Sequence, residues 1–176
     1  RMNDDGTIPS DNPFTINGVR CGQSEGRVPS GSNARARCSE IWAYGLRNPF
    51  RMSMDVNEES KVKFYISDVG GITYEELNEA GTDYAGANYG YPKYQGPCFP
   101  GNCPSSGTDD GFTDPVYYYL HRPRDEGLPE GAVVGSAFVP NGLWPSKYKF
   151  LFMDFAFGEV YNLIQDDSQA CGVQVC

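Results

Sequence analysis

Arg47 and Asn48 are adjacent residues whose side chains suit the binding of an anionic or planar ligand. A guanidinium binds a carboxylate through two parallel hydrogen bonds and stacks on flat rings, and a carboxamide donates to ligand oxygens. The alternative is that both side chains fix their own loop by bonding backbone carbonyls. Gly70 and Gly71 can present bare carbonyls to a ligand, because neither has a Cβ, although a plain turn also accounts for them.

Glu75 and Glu76 form an acidic pair. Adjacent side chains on a β-strand point to opposite faces, so only one of these two carboxylates can face a shared site. Leu77 then faces the same way as Glu75. The alternative is that both acids lie on a solvated surface.

The six cysteines predict local disulfides. They fall into three near pairs, namely Cys21 with Cys38, Cys98 with Cys103 and Cys171 with Cys176. Six cysteines allow many other pairings, and reduced structural thiols are the alternative. The chain has no CxxC motif and one histidine, which excludes the usual Cys/His zinc sites. Disulfides predict an oxidising location, which is extracellular, periplasmic or at the cell surface.

Alternating apolar and polar residues predict an all-β chain. The clearest strands cover residues 50–56 and 62–66. Further strands are predicted at residues 40–44, 75–78, 116–119, 132–140, 149–154 and 159–164, with residues 155–158 as a hairpin turn between the last two. No segment has a sustained helical period. A sandwich, a jelly roll and a propeller are all consistent with this pattern.

Composition excludes several classes of protein. The chain has 14 basic and 23 acidic residues, a net charge of −9, which argues against binding to nucleic acid. No apolar stretch approaches the roughly 18 residues of a membrane span. A hydrophobic content of 39% is too high for a disordered chain.

Residues 40–51, Glu-Ile-Trp-Ala-Tyr-Gly-Leu-Arg-Asn-Pro-Phe-Arg, resemble a motif of the glucose/sorbosone dehydrogenase family. Matching stretches follow in the same order, at residues 67–71, 75–78, 87–92, 132–136 and 144–154. In the third of them, Tyr91 replaces the usual tryptophan of Asn-Tyr-Gly-Trp-Pro. The resemblance implies a six-bladed β-propeller of the secreted or periplasmic space. Many members oxidise sugars with pyrroloquinoline quinone (PQQ) and calcium.

The resemblance also implies roles for particular residues. Arg47 and Asn48 would face the PQQ cofactor. The carbonyls of Gly70 and Gly71 would hold the calcium of the cofactor. Glu76 and Tyr89 would supply oxygens to a structural calcium, since calcium takes about 6–8 oxygen ligands.

The catalytic base of the family is a histidine upstream of the Arg-Asn-Pro motif, and no histidine precedes Arg47 here. We expect His121, the single histidine, to be a structural or surface residue, so no catalytic residue is assigned. The implied function is an extracellular sugar dehydrogenase that transfers hydride from a sugar hydroxyl to a calcium-bound quinone. The alternative is a non-catalytic propeller that acts in adhesion or as a structural unit of an extracellular assembly, with a sugar or glycan as ligand.

The length predicts only part of a ring. A propeller blade takes about 40–50 residues, so 176 residues supply about three four-stranded blades. We expect residues 1–176 to be one partial propeller domain with no second domain, whose partner is the rest of the propeller or another chain. Residues 1–6 suggest the end of a strand and an Asp-Gly turn. An incomplete ring should expose an apolar wall.

Overall fold

A computed structural model describes residues 1–22, 24–33, 36–97, 111–121, 131–166 and 169–175. Its eight β-strands are β1 (Pro49–Met54), β2 (Lys63–Asp68), β3 (Tyr74–Gly81), β4 (Tyr117–Leu120), β5 (Val133–Phe138), β6 (Phe150–Asp154), β7 (Glu159–Asp166) and β8 (Gln169–Val175). One short 3₁₀-helix covers Thr82–Tyr84, and these ranges contain no α-helix. The all-β prediction is confirmed.

The strands form two four-stranded antiparallel sheets, in the orders β1-β2-β3-β4 and β5-β6-β7-β8. Each strand pairs with the next along the chain, which is the arrangement of a propeller blade. Strands β1 and β5, the first of each sheet, lie next to each other. The Oγ of Ser53 in β1 donates to the carbonyl of Ser136 in β5 at 2.6 Å. The described chain is therefore a propeller segment with two complete blades.

A shared core joins the two sheets. Its buried members are Leu77, Val133, Phe150, Phe152 and Leu163, and tyrosine and phenylalanine rings pack around them. Leu77 comes from β3, whereas the other four come from the second sheet. Burial of these side chains is the main force that holds one blade against the other.

The face of β1 opposite Ser53 is an exposed apolar surface, here called the apolar wall. Met52 and Met54 alternate along the strand and are 68% and 55% exposed, while Phe50 lies at a β-bulge and is 50% exposed. An exposed apolar wall is what the length of the chain predicts for an incomplete ring. The wall lies on the first strand of its sheet, where a neighbouring blade would pack.

Residues 1–44 and 84–88 form a separate compact unit. It contains the Cys21–Cys38 disulfide, which is one of the predicted pairs. The strand predicted at residues 40–44 is wrong, since the only pairing there is an isolated bridge from Tyr44 to Asn88. The amide of Ile41 instead closes a turn onto the carbonyl of Cys38. Residues 1–6 hold the predicted turn but no strand.

The sequence pattern does not predict strand β8. It predicts instead that a Cys171–Cys176 disulfide closes a small loop in this segment. The backbone of Cys171 lies in β8, paired with β7. The predicted bonds of Cys98 with Cys103 and of Cys171 with Cys176 fall outside the described residues, because the side chain of Cys171 and the other three cysteines are not described. Within the described ranges, no helix has the length and apolar character to cross a membrane.

Candidate functional site

Arg47 and Asn48 lead into β1, which begins at Pro49, so they lie at a loop-to-strand transition. Their backbone is fixed by Asp68, the last residue of β2. Its carboxylate accepts hydrogen bonds from the Arg47 amide at 2.9 Å and from the Asn48 amide at 2.6 Å. The amide of Val69 donates back to the Asn48 carbonyl at 3.0 Å. The residues that lead into β1 are thus held rigidly against the end of β2.

The guanidinium of Arg47 rests on the loop after β2. Its Nη1 donates to the carbonyl of Val69 at 2.9 Å and to that of Gly70 at 2.5 Å. This is the loop-fixing role that the sequence left as an alternative. Arg47 is nevertheless exposed, and its bonds to described residues leave Nε and Nη2 unengaged. The same side chain can therefore hold the loop and still donate to a ligand.

Gly70 and Gly71 differ in how much room they have. A Cβ on Gly70 would lie 1.5 Å from the carbonyl oxygen of Tyr74, whereas one on Gly71 would lie 3.1 Å from Nε of Arg47. Only glycine fits at position 70. The Gly71 amide donates to Oε1 of Gln95 at 3.1 Å. Both glycines lie beside Arg47.

An open apolar cavity of about 460 Å³ adjoins these residues. It is lined by Asn48, Phe50, Val69, Ala132, Val134 and Phe155. The lining comes from the starts of β1 and β5 and from the loops that follow β2 and β6. A flat ring could lie against such a surface, with polar groups only at its Asn48 end.

Glu76 and Asp68 are direct cross-strand partners on β3 and β2, and both are buried. Oε1 of Glu76 accepts from the Gly96 amide, and Oε2 accepts from Nδ2 of Asn78 at 3.1 Å. The Oδ1 of Asn78 is buried without a hydrogen-bond partner among the described residues. Two facing carboxylates repel each other, and an unpaired buried amide oxygen is costly. A cation that binds oxygen would relieve both, and these oxygens are of the kind that calcium takes.

Burial is the main cause that raises the pKa of both carboxyls. For Asp68, the Arg47 and Asn48 amides partly offset it. For Glu76, the Gly96 amide and the Asn78 side chain act against burial, while the charges of Asp68 and Glu75 push the pKa further up. Ionisation of both Asp68 and Glu76 is therefore unfavourable in the absence of a cation.

Tyr89 is buried, and its hydroxyl donates to the Glu79 carbonyl at 2.7 Å, near the end of β3. Glu76 lies on the same strand, three residues earlier. The Tyr89 hydroxyl thus contacts β3 three residues beyond Glu76, and Tyr89 itself lies outside the strand.

Glu75 points to the other face of β3, as the alternation predicts, and is fully buried. Its Oε1 lies 2.6 Å from Nε2 of His121 and accepts the Gly70 amide at 3.1 Å, while Oε2 accepts the Val133 amide at 2.9 Å. Burial raises the pKa of Glu75, and these donors partly offset that rise. His121 therefore lies in a buried contact with Glu75 and not on the surface.

Sequence reasoning missed Asp68 and Asn78 as members of the site. Asp68 follows an apolar strand and precedes the two glycines, a position where a polar side chain can cap a loop. Asn78 lies two residues after Glu76, which on a strand means the same face. Those spacings were available signals, whereas the pairing of Asp68 with Glu76 depends on strand register.

Comparison with known proteins gives one family. The sequence model described as Glucose / Sorbosone dehydrogenase matches residues 1–127, which is more than half of the chain. The HIPL2 protein of Arabidopsis thaliana is 30% identical over 163 residues, which cover 90% of this chain and 20% of that protein. The chain thus spans about a fifth of the length of that relative.

Two solved structures share the fold. The PQQ-bound form of aldose sugar dehydrogenase from Streptomyces coelicolor superimposes with a TM-score of 0.56 at 20% identity, covering 100% of this chain and 37% of that one. A crystal structure of glucose dehydrogenase gives a TM-score of 0.60 at 23% identity, covering 99% and 43%. The chain spans well under half of either.

Proposed function

Because the chain belongs to the glucose/sorbosone dehydrogenase family, we propose that it is part of a sugar dehydrogenase that oxidises a sugar hydroxyl with bound PQQ and calcium. The single observation that carries the proposal is the exposed guanidinium of Arg47, anchored on one side and unengaged on the other, beside an apolar cavity. PQQ is a flat ring system with carboxylates, which matches a cation beside an apolar surface.

Each residue has a defined part in this proposal. Nε and Nη2 of Arg47 would bind a carboxylate of the cofactor, and the Asn48 carboxamide would donate to one of its oxygens. The carbonyls of Gly70 and Gly71 would supply oxygens to the calcium of the cofactor, and that of Gly70 also accepts from Nη1 of Arg47. When bound, PQQ supplies the acceptor for a hydride. The base that takes the sugar proton is not assigned within residues 1–176.

A second calcium is proposed at Glu76. Its carboxylate, the facing Asp68 and the unpartnered Oδ1 of Asn78 are the described oxygens that suit it, with Tyr89 as a further candidate ligand. The cation would offset the repulsion between the two carboxylates. It would stabilise β2 against β3, a structural role rather than a catalytic one.

We place the protein outside the cytoplasm, in the extracellular or periplasmic space or at the cell surface. The Cys21–Cys38 disulfide supports that location, since such bonds persist in oxidising compartments. The rest of the propeller is the proposed partner of the apolar wall formed by Met52 and Met54.

The cofactor site is tested by PQQ titration of the complete chain in calcium, followed by dye reduction with glucose and other aldoses. Arg47→Ala should weaken PQQ binding tenfold or more, because a carboxylate loses its charged partner. Arg51→Ala removes an equally exposed arginine four residues away and should leave binding unchanged. If wild-type protein folds and binds calcium but not PQQ, the non-catalytic propeller is the correct reading.

The calcium site is tested by thermal melting in calcium and in chelator. Wild-type protein should melt at a higher temperature in calcium, and Glu76→Gln should abolish that difference. Glu79→Gln, on the same strand and half-buried, should keep it. If Glu76→Gln and wild-type protein melt alike in calcium, Glu76 is not a ligand.

A further inference from the structure

Glu75 and His121 form a buried hydrogen-bonded pair that the proposed chemistry does not use. Their side chains are 0% and 6% exposed, and Oε1 of Glu75 lies 2.6 Å from Nε2 of His121. A carboxylate is costly to remove from water unless donors surround it. Such a group is retained in a core for what its hydrogen bonds hold together.

The three donors to Glu75 come from three separate parts of the fold. The Gly70 amide belongs to the loop after β2, His121 directly follows β4, and the Val133 amide begins β5 in the second sheet. One carboxylate thus ties a loop, an outer strand and the neighbouring blade to a single point.

The Gly70 peptide is where this tie meets the proposed cofactor site. The Gly70 amide donates to Glu75, and the Gly70 carbonyl accepts from Nη1 of Arg47. A displacement of Gly70 would therefore move the guanidinium. A single residue, Gly70, thus links the Glu75 carboxylate to the Arg47 guanidinium.

We infer that Glu75 and His121 are positioning residues, which hold the Gly70 peptide and through it the Arg47 guanidinium at a fixed place against the second blade. The effect on cofactor binding rests on the proposed function, whereas the effect on the Gly70 loop does not.

The arrangement of protons around Glu75 gives a sharp test. We assign the imidazole proton of His121 to Nε2, which faces Oε1 of Glu75, so that all three neighbours of Glu75 are donors. Glu75→Gln keeps the shape of the side chain but turns an NH₂ group towards at least one of these donors. His121→Ala removes one donor and leaves the two amides. Glu79→Gln, on the same strand and the same face, is the matched control.

The experiment measures two quantities in the complete chain. The first is amide hydrogen exchange in the peptide that contains Gly70, without cofactor. The second is the Kd for PQQ in calcium, taken in wild-type and Arg47→Ala backgrounds as a double-mutant cycle.

Glu75→Gln and His121→Ala should each speed exchange at the Gly70 loop at least tenfold and raise the Kd at least fivefold. In the Arg47→Ala background the same changes should have little further effect on the Kd. His121→Gln, which restores an N–H donor, should recover part of the loss.

The inference is overturned if exchange at the loop matches that of the Glu79→Gln control, or if the effects on the Kd simply add to that of Arg47→Ala. If wild-type protein binds no PQQ, the proposed function fails and the exchange measurement alone decides. If Glu75→Gln does not fold, the His121→Ala and His121→Gln pair decides.

Discussion

Asp68 and Asp154 occupy the same position in the two blades. Each ends the second strand of its sheet, and each carboxylate accepts the backbone amide that leads into the first strand, from Arg47 and Asn48 in one blade and from Ala132 in the other. The following residue donates back in both cases, from Val69 to Asn48 and from Phe155 to Ala132. In each blade, a buried carboxylate therefore fixes the residues that lead into the first strand.

Tyr119 is a further hydrogen-bond donor to Asp154 in the second blade, so Tyr119→Phe should destabilise the protein. The hydroxyl donates to Oδ2 of Asp154 at 2.5 Å, and burial together with Asp154 raises the pKa of Tyr119 far above its ordinary value. Loss of a hydrogen bond to a buried charge should cost about 2 kcal/mol of unfolding free energy. Urea denaturation measures it. Tyr118→Phe, on the same strand but more exposed, should cost under about 0.5 kcal/mol. Equal losses in the two variants would contradict the role of Asp154.

Gly70→Ala should be far more damaging than Gly71→Ala. The added methyl at position 70 meets the backbone oxygen of Tyr74, which cannot move without distorting β3. At position 71 it meets the ends of the Arg47 and Gln95 side chains at 3.1 and 3.2 Å, and both can shift. We expect a loss of about 2–3 kcal/mol for the first and under about 1 kcal/mol for the second. Thermal melting of both variants checks the order, and a larger loss for Gly71→Ala would refute it.

Glu40 should make the stability of the disulfide unit depend on acid pH. Its carboxylate accepts the amides of Cys21 and Gly22, each at 2.9 Å. Burial raises the pKa of Glu40, but the Gly22 and Cys21 amides, its own amide and the charge of Arg20 outweigh burial, so the pKa lies below its ordinary value. A lowered pKa in the folded state stabilises the fold above the ordinary pKa, and this contribution is lost as pH falls through the folded value.

Melting curves from about pH 6 to pH 3 test this dependence. The melting temperature of wild-type protein should fall more steeply than that of Glu40→Gln as pH decreases. Glu25→Gln, in the same loop but exposed, should follow wild-type protein. Parallel curves for wild-type protein and Glu40→Gln would show that the carboxylate does not matter.

The Cys21–Cys38 bond closes a loop with a sequence separation of 17 residues. Removing it by the double change Cys21→Ser and Cys38→Ser should lower the unfolding free energy of this unit by about 3 kcal/mol, since the unfolded chain regains the entropy of the open loop. A Trp144→Phe background leaves Trp42 as the fluorescent reporter within the unit. A denaturation midpoint at Trp42 that does not move would count against the prediction.

Local pattern was enough to predict seven of the eight strands to within a few residues. The alternation of Phe50, Met52 and Met54 states where β1 lies, because one face of that strand differs strongly from the other. The same signal misled at residues 40–44, where the Glu40 side chain caps amides and the backbone forms a turn instead of a ladder.

The candidate site could be predicted only in its parts. Arg47, Asn48, Gly70, Gly71 and Glu76 were singled out because each has chemistry or motif context of its own. The facing of Asp68 and Glu76 depends on the register of β2 against β3, and the tie from Glu75 to Val133 spans two sheets. Contacts of this kind join residues far apart along the chain, and neither composition nor spacing encodes them.

The carboxylates of Asp68 and Asp154 hold main-chain amides and not side chains, and this matters for how such a ring can diversify. A substitution at position 47, 48 or 132 leaves the capping bond intact as long as the new residue has an amide proton. The first blade can therefore present an arginine and an asparagine where the second presents Gly131 and Ala132, without loss of the anchor. Each blade can therefore carry different side chains at these positions while the same backbone hydrogen bonds hold the first strand.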